Sequence, residues 1–134
     1  MTDTGADWRE DGFLGGRLRI AQPVRGYRAG ADAVMLAAAC PARPGESVLE
    51  LGCGAGVALL CLGARVPGLA LTGLELQPAY AALARRNAAA NGIAARVAEG
   101  DLAHMPALLR GESFDHVIAN PPYHFTAYTA HNQS

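Results

Sequence analysis

Four short stretches of this chain carry residue types that can do chemistry. The first is Glu50-Leu51-Gly52-Cys53-Gly54-Ala55-Gly56. Glycines at this spacing let a backbone turn sharply and approach a ligand closely. A following helix start would add free N–H groups. The spacing is G-x-G-x-G, with Val57 where a nicotinamide-binding turn carries its third glycine. The acid two residues before the first glycine suits a cationic amine better than a pyrophosphate. Taken alone, such a turn is also consistent with a plain tight strand-to-helix connection. The second stretch is Glu75, near the end of the largely apolar segment Leu69–Leu76. An acid there is placed to accept from ribose hydroxyls in a doubly wound fold. The third is Gly100-Asp101-Leu102, where an acid can accept from an adenine amino group, or merely cap the next element. The fourth is Asn120-Pro121-Pro122-Tyr123. Two prolines fix φ and remove donors, leaving carbonyl acceptors. The Asn120 amide oxygen and the Pro121 carbonyl can both accept from one NH₂ group, while Tyr123 offers a flat face for stacking. An amide or aromatic amino nitrogen is a poor nucleophile because its lone pair is delocalised. Two acceptors on its hydrogens favour the pyramidal geometry that frees that pair.

The elements that must position these groups read as alternating strands and helices. Ser47–Leu51 is a short apolar run read as a buried parallel strand. Gly56–Val66 reads as a helix closed by Pro67-Gly68. Leu69–Leu76 is a second strand, and Pro78 to Asn91-Gly92 a helix with proline at its first position. Ala95–Ala98 is a third strand, Met105–Arg110 a short helix and Phe114–Ala119 a fourth strand. This order predicts a parallel α/β sheet with right-handed crossovers. Upstream, Phe13–Ile20 around Gly15-Gly16 predicts a hairpin, and Asp32 opens a helix running to about Ala39. Residues 1–12, polar and aperiodic, are expected to be disordered.

Composition sets limits on function. The chain has 134 residues, 51% of them apolar, which fits one domain with a real core. No apolar run reaches membrane-spanning length and the acidic N-terminus is unlike a secretory signal, so a cytoplasmic protein is expected. Cys40, Cys53 and Cys61 have no C-x-x-C pair, and the four histidines show no paired-ligand spacing, so no metal site is expected. Net charge is −1, which gives the whole chain no polyanion-binding signature. Locally, Arg17, Arg19, Arg25 and Arg28 fall in an acid-free stretch from Gly12 to Ala31. That stretch is either a solvated loop or a phosphate-facing patch.

Together these motifs resemble the Rossmann-like S-adenosylmethionine-dependent methyltransferases, in particular the amino-methylating group with an NPPY motif. The segment Gln22-Pro23…Gly26-Tyr27-Arg28-Ala29-Gly30-Ala31-Asp32-Ala33-Val34-Met35-Leu36 resembles that of the bacterial enzymes that methylate adenine N6 in valine tRNA. The resemblance spans about residues 13–123. It implies S-adenosylmethionine as cofactor, with Tyr27, Arg28 and Gly30 on a loop closing over its methionine end. It adds as cofactor-binding residues Glu50, Gly52, Cys53, Gly54 and Gly56 at the glycine turn, Glu75, which would hold the ribose, with Leu76 beside it, Gly100, Asp101 and Leu102, of which Asp101 or Leu102 would hold the adenine, and Asn120. It implies catalysis by Asn120, Pro121, Pro122 and Tyr123, and tRNA as partner through the four arginines. The alternatives are methylation of protein glutamine N5, as on release factors, or a cofactor-binding domain without activity.

Members of that group carry about seven strands, whereas only four parallel strands are legible here. The expected architecture is therefore an N-terminal half with strand order 3-2-1-4, preceded by the hairpin and helix and lacking the C-terminal strands. Residues 13–45 form the entry, 46–123 the cofactor-binding core and 124–134 a tail. An exposed fourth strand would then invite pairing between two copies.

Overall fold

A run of three left-handed residues builds the first turn of the molecule. Leu14, Gly15 and Gly16 have φ of 54°, 66° and 88°, and only glycine holds such angles without steric cost. They join β1 (Trp8–Phe13) to β2 (Leu18–Pro23) in an antiparallel pair with Phe13 opposite Leu18 and Trp8 opposite Pro23. The computed structural model describes residues 7–26, 28–107 and 109–120. The disorder expected through residue 12 is thus corrected over Trp8–Gly12, which are strand. The polar look of this strand misleads because its support is long-range. Arg86 lies 4.3 Å over the Trp8 ring, and Glu10 and Asp11 meet Arg19 and Gln22 on β2.

Helix α1 (Ala31–Ala39) follows, then β3 (Ser47–Leu51), α2 (Val57–Arg65), β4 (Ala70–Glu75), α3 (Pro78–Ala90), β5 (Ala95–Glu99) and β6 (His116–Ala119). The four later strands form one parallel sheet in the order β5-β4-β3-β6. This is the expected 3-2-1-4 order, with element ends shifted by a residue or two. Among the described residues, the helix expected over Met105–Arg110 is not formed. Turns take its place, with Leu109 and Arg110 both donating to the Pro106 carbonyl. Pro106 is instead committed to tertiary packing, for a Cβ on Gly100 would lie 2.4 Å from its Cγ.

Strand periodicity sends Val48 and Ile118 to one face of the sheet, where residues of all three helices cover them in the main core. Leu49, Leu74 and Ala98 face the other side, under Leu109, Met105 and Phe114. Two further glycines mark close approaches. A Cβ on Gly73 would sit 2.6 Å from Cys53 Sγ, and one on Gly63 2.7 Å from Leu71 Cδ1. At the strands' amino ends, the Ser47 N–H donates to Asp115, and His116 Nε2 lies 2.8 Å from Glu46. These contacts fix the register of β6 against β3, and the carboxyl ends of the strands lie opposite.

Candidate active site

The carboxyl ends of β3, β4 and β6 open into a cavity of about 400 Å³, the position at which open α/β sheets bind ligands. Its floor is the turn after β3. Gly52 and Gly54 hold φ of 68° and 57°, and a Cβ built on either meets nothing within 4 Å. Larger residues there would be strained and would project into open space. The Gly52 and Cys53 N–H groups are tied to the Leu74 carbonyl at 2.8 and 3.0 Å, which holds the turn against β4.

Two carboxylates face this cavity. Glu75 is 7% exposed and accepts from the Gly54 N–H at 2.7 Å through Oε1 and from the Gln77 N–H at 3.0 Å through Oε2. Each carboxylate oxygen has a second lone pair, so both can still accept from a ligand diol. Glu50 is 3% exposed, and its Oε1 is the buried side-chain oxygen among the described residues that has no partner. Burial pushes the Glu50 carboxyl well above the usual range. The Leu59 backbone N–H in the first turn of α2 opposes this, and the neighbouring Glu75 adds to it. An orphaned buried acid on a cavity wall calls for a cation or donor to complete it.

The sequence-derived candidates separate into groups. Glu50, Gly52, Cys53, Gly54, Glu75 and Asn120 all line the cavity. Gly56 does not. It caps α2 at φ 97°, and Ala84 of α3 lies 3.6 Å from where its Cβ would be, so it serves packing. Leu76, Gly100, Asp101 and Leu102 lie outside the cavity lining, at the adjacent ends of β4 and β5. Leu76 and Leu102 are large exposed apolar side chains there. Asp101 Oδ1 accepts from the Ala103 N–H at 3.0 Å, which is the capping use. Arg28 and Gly30 flank the cavity through their neighbour Ala29, which lines it. Tyr27, Pro121, Pro122 and Tyr123 lie outside the described residues.

Three contributors were missed from sequence. Gln22 is 2% exposed and closes the loop from Pro23 to Ala29. It accepts from the Ala29 N–H at 2.8 Å, and its Nε2 donates to the Ala29 carbonyl and to Asp11. Tyr80, on the first turn of α3, lines the cavity and reaches Gly26, whose Cβ would lie 3.1 Å from the hydroxyl. Asn87 is 2% exposed on α3. It accepts from the Ala21 N–H and donates to the carbonyls of Ala21 and Ala55, all within 3.0 Å. It therefore joins β2, α3 and the glycine turn. A polar residue inside an alanine-rich helix was the available signal.

The arginine segment is less free than its own sequence implies. Arg19 pairs with Glu10 at 3.1 Å, Arg28 reaches Asp11 at 4.0 Å, and Arg17 donates to the Ala64 carbonyl. The acids come from the facing strand β1.

Comparison with known proteins decides the family. The model of the methyltransferase small domain matches residues 30–133. The chain belongs to the methyltransferase small domain family. Among curated relatives of this methyltransferase domain is a tRNA1(Val) (adenine(37)-N6)-methyltransferase of Porphyromonas gingivalis, 34% identical over 80% of this chain and 45% of its own. The Yersinia enterocolitica protein of the same name is 31% identical, over 94% and 51%. The chain spans about half the length of the curated relatives it matches. Among solved structures, a methyltransferase of Thiobacillus denitrificans in complex with S-adenosyl-L-homocysteine is 27% identical, with a TM-score of 0.58 over 70% of this chain and 37% of that one. The T. thermophilus 16S rRNA N2 G1207 methyltransferase, 24% identical, shares the fold at a TM-score of 0.71 over 89% and 34%. The Rossmann-like methyltransferase fold therefore stands. Among the described residues, no group of three or more His, Cys, Asp and Glu could hold a metal ion, and no helix is long and apolar enough to cross a membrane.

Proposed function

We propose that this methyltransferase domain binds S-adenosylmethionine in the β3–β4 crevice and takes part in methylating the exocyclic N6 of adenine in tRNA. The observation that carries the cofactor reading is the pairing of two buried carboxylates across an open glycine turn. Glu75 retains acceptor capacity for the two ribose hydroxyls. The unpartnered Glu50 Oε1 answers a ligand ammonium. Gly52 and Gly54 leave room that a side chain would fill. The exposure of Leu76 and Leu102, at the adjacent ends of β4 and β5, supports a role for them in covering a flat base, with Asp101 as its acceptor. When bound, the cofactor supplies an electrophilic methyl group. The chain's part is to hold the acceptor nitrogen. In this reading the Asn120 amide oxygen and the Pro121 carbonyl accept from the amino group, and Tyr123 stacks on the ring. Both acceptors strengthen as the nitrogen pyramidalises, which is the condition for rate enhancement.

The tRNA reading rests on the names of the curated relatives and on the Gln22–Leu36 segment. Of the four arginines, Arg25 is the one whose guanidinium meets neither an acid nor a backbone carbonyl among the described residues, and it is the strongest candidate for a phosphate contact. This reading places the protein in the cytoplasm. It also allows self-pairing through β6, which lies at the sheet edge among the described residues with Val117 56% exposed. Light scattering on a gel-filtration column tests that pairing, and a monomer at micromolar concentration would refute it. Incubation with radiolabelled S-adenosylmethionine and either total tRNA or release factor tests the function. Label in tRNA supports the proposal. Label in release factor supports glutamine methylation, and label in neither refutes both.

A further inference from the structure

An asparagine that must present its oxygen to a substrate faces an ambiguity, because its amide has nearly the same shape after a half-turn about χ2. The half-turn exchanges an acceptor for a donor. Something nearby must select one orientation. Asn120 Nδ2 lies 3.1 Å from Asp32 Oδ2, and these residues come from elements 88 positions apart in the chain. Asp32 sits in the first turn of α1, and its other oxygen accepts from the Gly30 N–H at 3.2 Å. The acid is thus anchored on one oxygen and meets the amide with the other.

We infer that Asp32 is a positioning residue that fixes the Asn120 amide with its NH₂ toward α1 and its oxygen toward the acceptor nitrogen. An ionised carboxylate only accepts hydrogen bonds. The flipped amide would set oxygen against oxygen, so the carboxylate supports only one of the two orientations. The Asn120 hydrogen bond, with those from backbone N–H groups, also holds the Asp32 carboxyl below its usual range. It therefore stays ionised throughout the neutral range. This places the segment from Gly30 to Asp32 in the methyl-transfer site itself, beyond its position beside the cofactor cavity. The role in turnover rests on the function proposed above, whereas the contact itself does not.

The test has two parts. First, the side-chain amide resonances of Asn120 are recorded by NMR in the wild-type chain and in Asp32→Ala and Asp32→Asn. The inference expects a shifted NH₂ pair in the wild type that moves to ordinary asparagine positions in Asp32→Ala. Unchanged resonances would overturn it whatever the enzyme's activity. Second, methyl transfer to tRNA and S-adenosylmethionine affinity are measured on the same proteins. Asp32→Ala should lower kcat by roughly 10- to 100-fold, the worth of one oriented charge-assisted hydrogen bond, with cofactor affinity unchanged. Asp32→Asn can still accept from Asn120 in one of its own orientations, so it should fall between. Equal turnover in all three proteins, or a fall in cofactor affinity matching the fall in kcat, would overturn the positioning role. Absence of turnover even in the wild type, with the NMR shift present, would count against the proposed reaction and leave the Asp32–Asn120 contact standing.

Discussion

Replacing Asn87 with alanine should loosen the attachment of the hairpin to the cofactor site. The Asn87 amide makes three hydrogen bonds of 2.9–3.0 Å, two to Ala21 and one to the Ala55 carbonyl, and it is 2% exposed. Its removal strands one backbone N–H and two carbonyls in a buried place that bulk water does not reach. At about 0.5–1.5 kcal/mol for each buried hydrogen bond, the loss of three comes to about 1.5–4.5 kcal/mol. That is a large part of the stability of an ordinary domain. The melting temperature should fall by on the order of 10 °C. Asn91, which caps the C-terminus of α3 one turn later, offers an internal control. It pairs with the backbone N–H and carbonyl of Arg19 in an exposed setting, and donates to the Asn87 carbonyl in a half-buried one. Water can replace the two bonds to Arg19, so Asn91→Ala should cost clearly less than Asn87→Ala. Urea denaturation of the two variants and the wild type, read by circular dichroism, measures both values. The Asn87→Ala chain should also bind S-adenosylmethionine more weakly below its melting point, because Ala55 lines the cavity. An Asn87→Ala midpoint within about 0.5 kcal/mol of wild type would refute the reasoning, since surface substitutions cost no more than that.

Glu50 gives a prediction about pH. Its folded-state pKa is raised by burial, so its stabilising contribution is complete below the unfolded carboxylate value and is lost as pH rises through the folded one. Glu50→Gln should therefore flatten the decline in stability toward alkaline pH and raise thermal stability there, while weakening cofactor binding; an unchanged stability–pH curve would contradict it. Gly73→Ala should destabilise by about 1–3 kcal/mol through its clash with Cys53 Sγ, and adding Cys53→Ala should restore part of the loss in denaturant titrations. No recovery in the double variant would show that the sulfur is not the obstacle. Asn120→Ala should lower kcat far more than it weakens cofactor binding, and wild-type turnover would refute its catalytic role.

Much of the core was legible because its signals are local. The apolar run Ser47–Leu51 ends in glycines whose positive φ the turn requires, and Pro78 opens α3 where proline costs no hydrogen bond. What was missed depends on contacts distant in sequence. The strand character of Trp8–Gly12 comes from Arg86, Arg19 and Gln22, and no short window contains them. The same distance hid the neutralisation of Arg19 and Arg28, since the acids that meet them lie across the hairpin. Met105–Arg110 has helical propensity, but Pro106 is held against Gly100. The helix-start role given to Asp32 was incomplete for a related reason. An acid in a first turn is common, and only the fold brings it to Asn120. Tyr80 passed as a helix residue because nothing in α3 alone shows that its ring reaches the Gly26 loop.

The central claim is that the crevice above β3 and β4 is an S-adenosylmethionine site whose ribose acid is Glu75. Titration calorimetry of this chain and its Glu75→Ala variant with S-adenosylmethionine tests it most directly. The account predicts one site per chain in the wild type, and a loss of about 1–3 kcal/mol in the variant as charged hydrogen bonds disappear. No binding to the wild type, or equal affinity in both proteins, would contradict it.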